Sequence, residues 1–184
     1  MKKAIFFIGV LMAMLVINPA FAQAQPRYFL MISGIPGEST DKNHMNWINV
    51  FSFKEGVSQP SVGARATGGA ASATRAQFAD LTIFKQIDKA SVLLKKYCAT
   101  GERIKDVILS CNRAGKDQQE FYAVRLADVV VSGVKLVPDA SLGILEEVTF
   151  SYARIEWKYT QQGPDGRPMG DVRSGFDLVG NRPF

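Results

Sequence analysis

The clearest rhythm of apolar and polar positions lies between Phe78 and Leu136. A β-branched run, Leu81 to Phe84, is followed by Ala90, Leu93, Leu94, Tyr97 and Cys98. These fall at i, i+3, i+4, i+7 and i+8, which is one stripe of an amphipathic helix. Asp88 stands where an N-cap is expected and Gly101 where the helix should stop. The opposite face is read as Lys89, Ser91 and Lys96, with Lys95 and Lys96 in a last turn where they oppose the negative helix end. Burial of such a stripe contributes up to ~1.5–3 kcal/mol for each large side chain, so the helix is expected to plug a mostly β domain.

Elsewhere the period is two. Tyr28 to Ile32 reads as a short strand, ended by Gly34-Ile35-Pro36-Gly37, and Gly37 to Asn46 reads as a polar loop. Trp47 to Val57 reads as one strand with both faces apolar, Trp47, Phe51 and Phe53 opposing Ile48 and Val50, and therefore as central or at a subunit contact. Ser58 to Gln77 has almost no large apolar residue; it is either a mobile excursion or a loop ordered by a partner.

Beyond the helix, Ile104 to Asn112 carries Val107, Leu109 and Cys111 on one face. A polar turn with Gly115 then leads back into a long strand, Phe121 to Val137, interrupted at Asp128. In Glu147 to Thr160, Val148, Phe150 and Tyr152 share one parity and Ile155, Trp157 and Tyr159 the other, which predicts a bulge near Ala153 and Arg154. Gly163-Pro164-Asp165-Gly166 is a turn, and Val172 to Val179 the last strand. The expected fold is mainly β: a curled β-barrel or sandwich of about eight strands with one short α-helix.

The N-terminus changes the domain count. Lys2 and Lys3, the apolar run Ala4 to Ile17, and Ala20-Phe21-Ala22 form a leader with cleavage expected between Ala22 and Gln23. The apolar run is shorter than the ~20 residues of a relaxed membrane span. Residues 1–22 are thus read as a signal peptide and 23–184 as one domain, exported to the periplasm or beyond, with no membrane partner after cleavage. The formal charge of +5 falls to +3 without Lys2 and Lys3. The remaining basic residues are scattered, so nucleic acid is not an expected partner. Cys98 and Cys111 could pair in an exported chain, but Cys111 would lie ~25 Å along its strand from the helix end at ~3.3 Å per residue, whereas a bridge needs Cα atoms within ~7 Å. Two buried free thiols are the expectation.

Candidate chemistry is sparse. His44 is the one histidine, alone in a polar loop beside Asp41 and Lys42. There is no Gly-x-Ser-x-Gly elbow, no metal-ligand spacing and no phosphate loop leading into a helix. Glu146-Glu147 are adjacent on a strand and so face opposite ways; they are read as a charged edge. No catalytic, cofactor or metal site is expected. What remains for a small β domain is assembly through edges that must be closed, covered or paired.

Here the text of the chain resembles the Hcp (haemolysin-coregulated protein) family, the tube subunit of bacterial type VI secretion. YFLMISGIPGEST at Tyr28 to Thr40, INVFSFKEGVSQP at Ile48 to Pro60, the DKAS and CATG segments within Phe78 to Thr100, AGKDQQEFY and DVVVS within Ile104 to Val134, Val148 to Gln162, and Gly175 to Leu178 occur in the family's order. The resemblance implies a β-barrel with one helix, self-association into a six-membered ring, stacking of rings into a hollow tube, and effector proteins as cargo. It also implies ring contacts by the loops holding Glu38, Ser39 and Thr40 and holding Gly68 and Gly69. The chain closes shortly after the domain, so no appended toxin is expected. The leader departs from the family, whose tube proteins are loaded from the cytoplasm. A Sec-exported Hcp-like binding module therefore stands as the alternative to the tube subunit, and an enzyme with a hidden site, His44 its one candidate, as a third reading.

Overall fold

The computed structural model describes residues 27–60, 75–113 and 118–184. The leader, Gly68, Gly69 and Gly115 lie outside these. Among the described residues are nine strands and one helix: β1 Arg27–Ile32, β2 Ile48–Val50, β3 Ser52–Ser58, β4 Gln77–Gln86, α1 Lys89–Thr100, β5 Arg103–Asn112, β6 Glu120–Asp139, β7 Gly143–Gln162, β8 Pro168–Asp177 and β9 Arg182–Pro183. All pairings are antiparallel, in the order β2-β1-β5-β6-β7-β4-β3, with β8 on β7 and β9 on β8.

The two ends of that order, β2 and β3, are consecutive in the chain, and this is what closes the sheet. The single strand expected over Trp47 to Val57 is broken at Phe51, whose N–H donates to Phe84 O at 2.8 Å. Its first part, β2, pairs with β1, and its second, β3, with β4. Trp47 precedes the strand and Phe51 is 40% exposed, so the segment is not covered on both faces. It is a kinked clasp that joins the two edges of a curled barrel.

β6 and β7, each 20 residues, form the long arm of the sheet. β7 pairs with β4 from Leu145 to Phe150 and with β8 from Arg154 onward, so it serves two layers in turn. The core-facing parity changes between buried Phe150 and buried Ile155, as expected. The irregularity, however, lies on β6: Asp128 takes φ 53 and the register shifts between Val131 and Gly133, while β7 keeps its count through Ala153 and Arg154. The last main strand begins earlier than Val172 and ends at Asp177.

The helix forms where its caps stand. Asp88 is extended and its side chain accepts from Ala90 N–H at 3.0 Å, while Gly101 closes the helix at φ 67 with its N–H on Tyr97 O. Ala90 and Leu94 are fully buried, and Leu93, Tyr97 and Cys98 pack against the core from its margin. Two readings of the polar face are corrected. The helix runs on to Thr100, which leaves Lys95 and Lys96 outside the last turn, and Ser91 is buried.

Ser91 is buried because it completes a charged cluster inside the barrel. Lys85 on β4 and Glu146 on β7 are direct cross-strand partners, and neither side chain is exposed to solvent. Glu146 is therefore a core residue; only Glu147 is at the partly exposed edge expected of both. Lys85 Nζ donates to Glu146 Oε2 at 3.0 Å, Ser91 Oγ at 2.9 Å and Gln86 O at 2.8 Å, and lies 2.8 Å from Asp88 Oδ1. The Ser91 hydroxyl donates to Glu146 and accepts from Asp88 N–H, and half-exposed Lys95 sits 3.1 Å from Glu146 Oε1. One buried carboxylate thus binds β4, β7 and α1 together.

Removing one partner leaves a buried, uncompensated charge, at a cost of about 3–5 kcal/mol. Lys85→Met is expected to lower the unfolding free energy in urea by that amount, and Lys85→Met/Glu146→Leu to recover most of it. Burial alone would raise the Glu146 pKa, but the bonds from Ser91, Lys85 and Lys95 outweigh it and hold the group below its ordinary range. Since the folded value is the lower one, the stability contributed by Glu146 is complete above the unfolded carboxylate pKa of ~4.3 and lost as pH falls through the folded value. The stability gap between wild type and Glu146→Gln should accordingly narrow on acidification below about pH 4.3, as read by urea melts at a series of pH values.

Candidate assembly interface

The loop Gly37–Asn46 is folded against the barrel. Gly37 N–H donates to Asn46 O at 2.7 Å, Ser39 N–H to Trp47 O at 2.9 Å and Asn46 N–H to Ser39 O at 2.9 Å, a hairpin-like ladder that buries Ser39 at 2% exposure. A Cβ on Gly37 would lie 2.3 Å from Trp47 O and 2.6 Å from Ile48 Cα, so this crossing requires glycine. Glu38 turns to the helix start, where its Oε1 accepts from Lys89 N–H at 3.0 Å.

His44, expected in an open polar loop, is buried at 5% exposure. Its ring stacks on Phe29 at 4.2 Å, meets Trp47 edge-on at 4.9 Å and bonds Asp41 Oδ1 through Nδ1 at 2.8 Å. Burial pushes the Asp41 carboxyl up, but the His44 ring and the N–H groups of Asn43 and His44 outweigh it and hold it below the usual carboxylate range. The histidine is thus a bracket for the loop. Of the three residues in this loop expected to meet a neighbour, Ser39 is inside, whereas Glu38 and Thr40 are exposed together with Lys42, Asn43 and Met45.

Both thiols are free, as expected. Cys98 is half-buried; Cys111 is buried, and burial with the charge of Glu120 pushes its thiol up to about 12, so it is protonated at neutral pH. Among the described residues no three His, Cys, Asp or Glu come together as metal ligands. No described helix is long and apolar enough to cross a membrane.

The exposed apolar side chains mark where the sheet outruns its core. At one end of β7, Ile144 is 55% exposed, Leu136 of β6 is 52% exposed, and Ile87 just after β4 is 52% exposed. Ile144 and Ile87 continue the rows of Glu146 and Lys85 past the charged cluster, and Leu136 stands directly across from Glu146. At the other end, Tyr159 and its cross-strand partner Val172 are 44% and 69% exposed. These surfaces are suited to contact with protein, not to chemistry on a small molecule.

The model of the family described as "Type VI secretion system effector, Hcp" matches residues 29–159. The protein hcp1 of Pseudomonas aeruginosa strain PAO1 is 31% identical over 156 residues, covering 83% of this chain and 95% of the relative. Among solved structures, Hcp1 from Salmonella typhimurium superposes with a TM-score of 0.72 at 29% identity, over 86% of this chain and 99% of the other. A type six secretion system protein superposes with a TM-score of 0.81 at 23% identity, over 87% and 100%, a likeness of fold.

Gly37→Ala is expected to open the loop ladder, because the atoms it meets are backbone and cannot yield as a side chain would. A loss of about 1–3 kcal/mol should appear in thermal or urea melts, accompanied by faster hydrogen exchange at the Ser39 and Asn46 amides.

Proposed function

The chain belongs to the Hcp family of type VI secretion proteins, and on that premise we propose that it is a non-catalytic ring subunit of the secretion tube, six copies closing a ring whose lumen accommodates effector proteins. The observation that carries this reading is the extent of the match. The related hcp1 is aligned over 95% of its length, and the family match runs from β1 to β7 of the barrel. Stacking of rings employs the exposed side of the Gly37–Asn46 loop and the Ser58–Gln77 segment. The small, polar composition of the latter suits a segment that is ordered by its neighbour.

A second reading is supported by one feature, the basic, apolar and small-x-small order of Lys2 to Ala22. On that reading the chain is exported through its leader, cleaved at Gln23, and serves as an Hcp-like ring or monomer that binds a protein or ligand outside the cytoplasm.

Native mass spectrometry of the chain expressed with residues 1–22 and recovered by cell fraction separates the two. An uncleaved subunit in a six-fold cytoplasmic particle is the result expected of the tube subunit. A subunit starting at Gln23 and monomeric in the periplasm would overturn the ring and favour the exported module. Deletion of Ala64 to Ala73 is expected to leave the ring and abolish stacking; intact stacks would remove this segment from the contact.

A further inference from the structure

The one histidine of the chain is set against a buried amide that the fold leaves half used. Asp41 Oδ1 is a carboxylate oxygen and can only accept, so His44 Nδ1, 2.8 Å away, carries the ring proton. In the neutral ring Nε2 is therefore an acceptor. Facing it is Asn112 at the end of β5, only 1% exposed, whose Nδ2 lies 3.5 Å away, at the outer limit of a hydrogen bond. The same nitrogen donates to Ser110 Oγ at 3.0 Å, and Ser110 donates in turn to Glu120. Asn112 Oδ1 is buried with no hydrogen-bond partner among the described residues. An acceptor left in that state is costly, and a half-turn of the amide would bring it to the ring.

The charges around the ring come from four places. Within the loop there is Asp41; burial raises its pKa, but the His44 ring and the loop N–H groups outweigh this, so it is ionised wherever an imidazole takes up a proton. From β1, Arg27 reaches Asp41 through Gln118, whose amide nitrogen turns to Asp41 Oδ2 and whose oxygen accepts from Arg27. From β6, Glu120 stands behind Ser110, and from β7, Lys158 lies 2.7 Å from the other Glu120 oxygen and offsets it. Phe29 and Trp47, which cover the ring, bring no charge.

We propose that His44 and Asn112 form a proton-operated latch: when Nε2 is protonated the Asn112 amide turns over, its oxygen accepts from the ring, and the loop Gly37–Asn46 is tied more firmly to β5. The turn is forced, because a second ring N–H would otherwise point at the N–H of Asn112. It exchanges a long N–H···N contact for a charge-assisted N–H···O bond, the stronger kind. One amide atom lacks a partner in either orientation, so what changes is the bond between loop and strand. With the oxygen in the nitrogen's place, the Ser110 hydroxyl swings from Glu120 to Asn112, and Glu120 keeps Lys158. The latch lies within one subunit and is independent of how subunits assemble.

A single histidine makes the test clean, since any ring titration seen by NMR between about pH 8 and pH 5 is that of His44. The ring nitrogen shifts of His44 and the side-chain NH2 signals of Asn112 should move together in the full chain, with one midpoint. Over the same step, protection of the Ser39 and Asn46 amides against hydrogen exchange, corrected for the intrinsic rate, should rise about tenfold. In His44→Gln the Asn112 signals should stay flat with pH. In Asn112→Ala the ring should still titrate while the loop protection no longer rises. Asn112 signals that stand still as His44 titrates would overturn the coupling, and a ring that takes up no proton in the folded chain would remove the switch. Loop protection that is unchanged or falls on protonation would refute the tightening. Should either variant fail to fold, the wild-type titration decides alone, because it reads the ring, the amide and the loop in one sample.

Discussion

A buried carboxylate opposite a buried ammonium sets the limits of this domain. Lys85 and Glu146 face each other across β4 and β7 with no solvent contact, and the first turn of α1 is fastened to them through Ser91 and Asp88. Such a pair is not a strong argument for stability, because desolvation offsets much of the attraction. What it does is exclude alternatives. A register slip of one residue on either strand would place both charges on the wrong face, and a helix docked elsewhere would leave Glu146 without two of its partners. The pair therefore specifies the pairing of two strands whose charged residues lie 61 apart in the chain, and with it the seat of the only helix among the described residues.

Closure and opening follow from the same sheet. The kinked Ile48–Ser58 segment joins its two ends, and β7 spends its first half beside β4 and its second beside β8. The change of partner needs a change of facing, supplied by Asp128 in a left-handed conformation on the strand opposite. Because β7 hands over from one neighbour to the next, β8 is carried out beyond the barrel, with β9 against its last residues. The clasp pairs with β1 through its first part and with β4 through its second, and β3 pairs with no other strand among the described residues.

Much of this was legible in the chain. The helix, its caps and its stripe were readable because 3.6-residue periodicity, Asp88 and Gly101 agree with one another. The pairing of β5 with the start of β6 was readable because apolar positions alternate from Val107 to Cys111 and from Tyr122 to Leu126. The charged cluster was missed, although its signal was present: Lys85 continues the parity of Leu81 and Ile83, and Glu146 that of Val148 and Phe150, so each charge occupies a core position in a strand that is otherwise apolar there. Read one strand at a time, each looks like a strand end; only the pairing of the two reveals a buried ion pair. His44 was misread for the same reason, since its stacking on Phe29 and its bond to Asp41 depend on a loop folding back over β1. The break at Phe51 had no local signal, for barrel closure is a property of the whole sheet.

The assembly surfaces were the least legible, and the physics explains why. A residue such as Val57, Ile144 or Val172 carries the pattern of a core strand and becomes a surface only because the sheet outruns what covers it. Apolar alternation tells which face a residue belongs to, not where that face ends. The end is set by the cluster at one pole of β7 and by the start of the β7–β8 turn at the other, both long-range consequences of topology. The apolar rows left beyond those limits are too exposed to contribute to the fold of a single subunit. Exposed apolar rows in strands with regular pairing are the kind of surface that contact with another protein would cover.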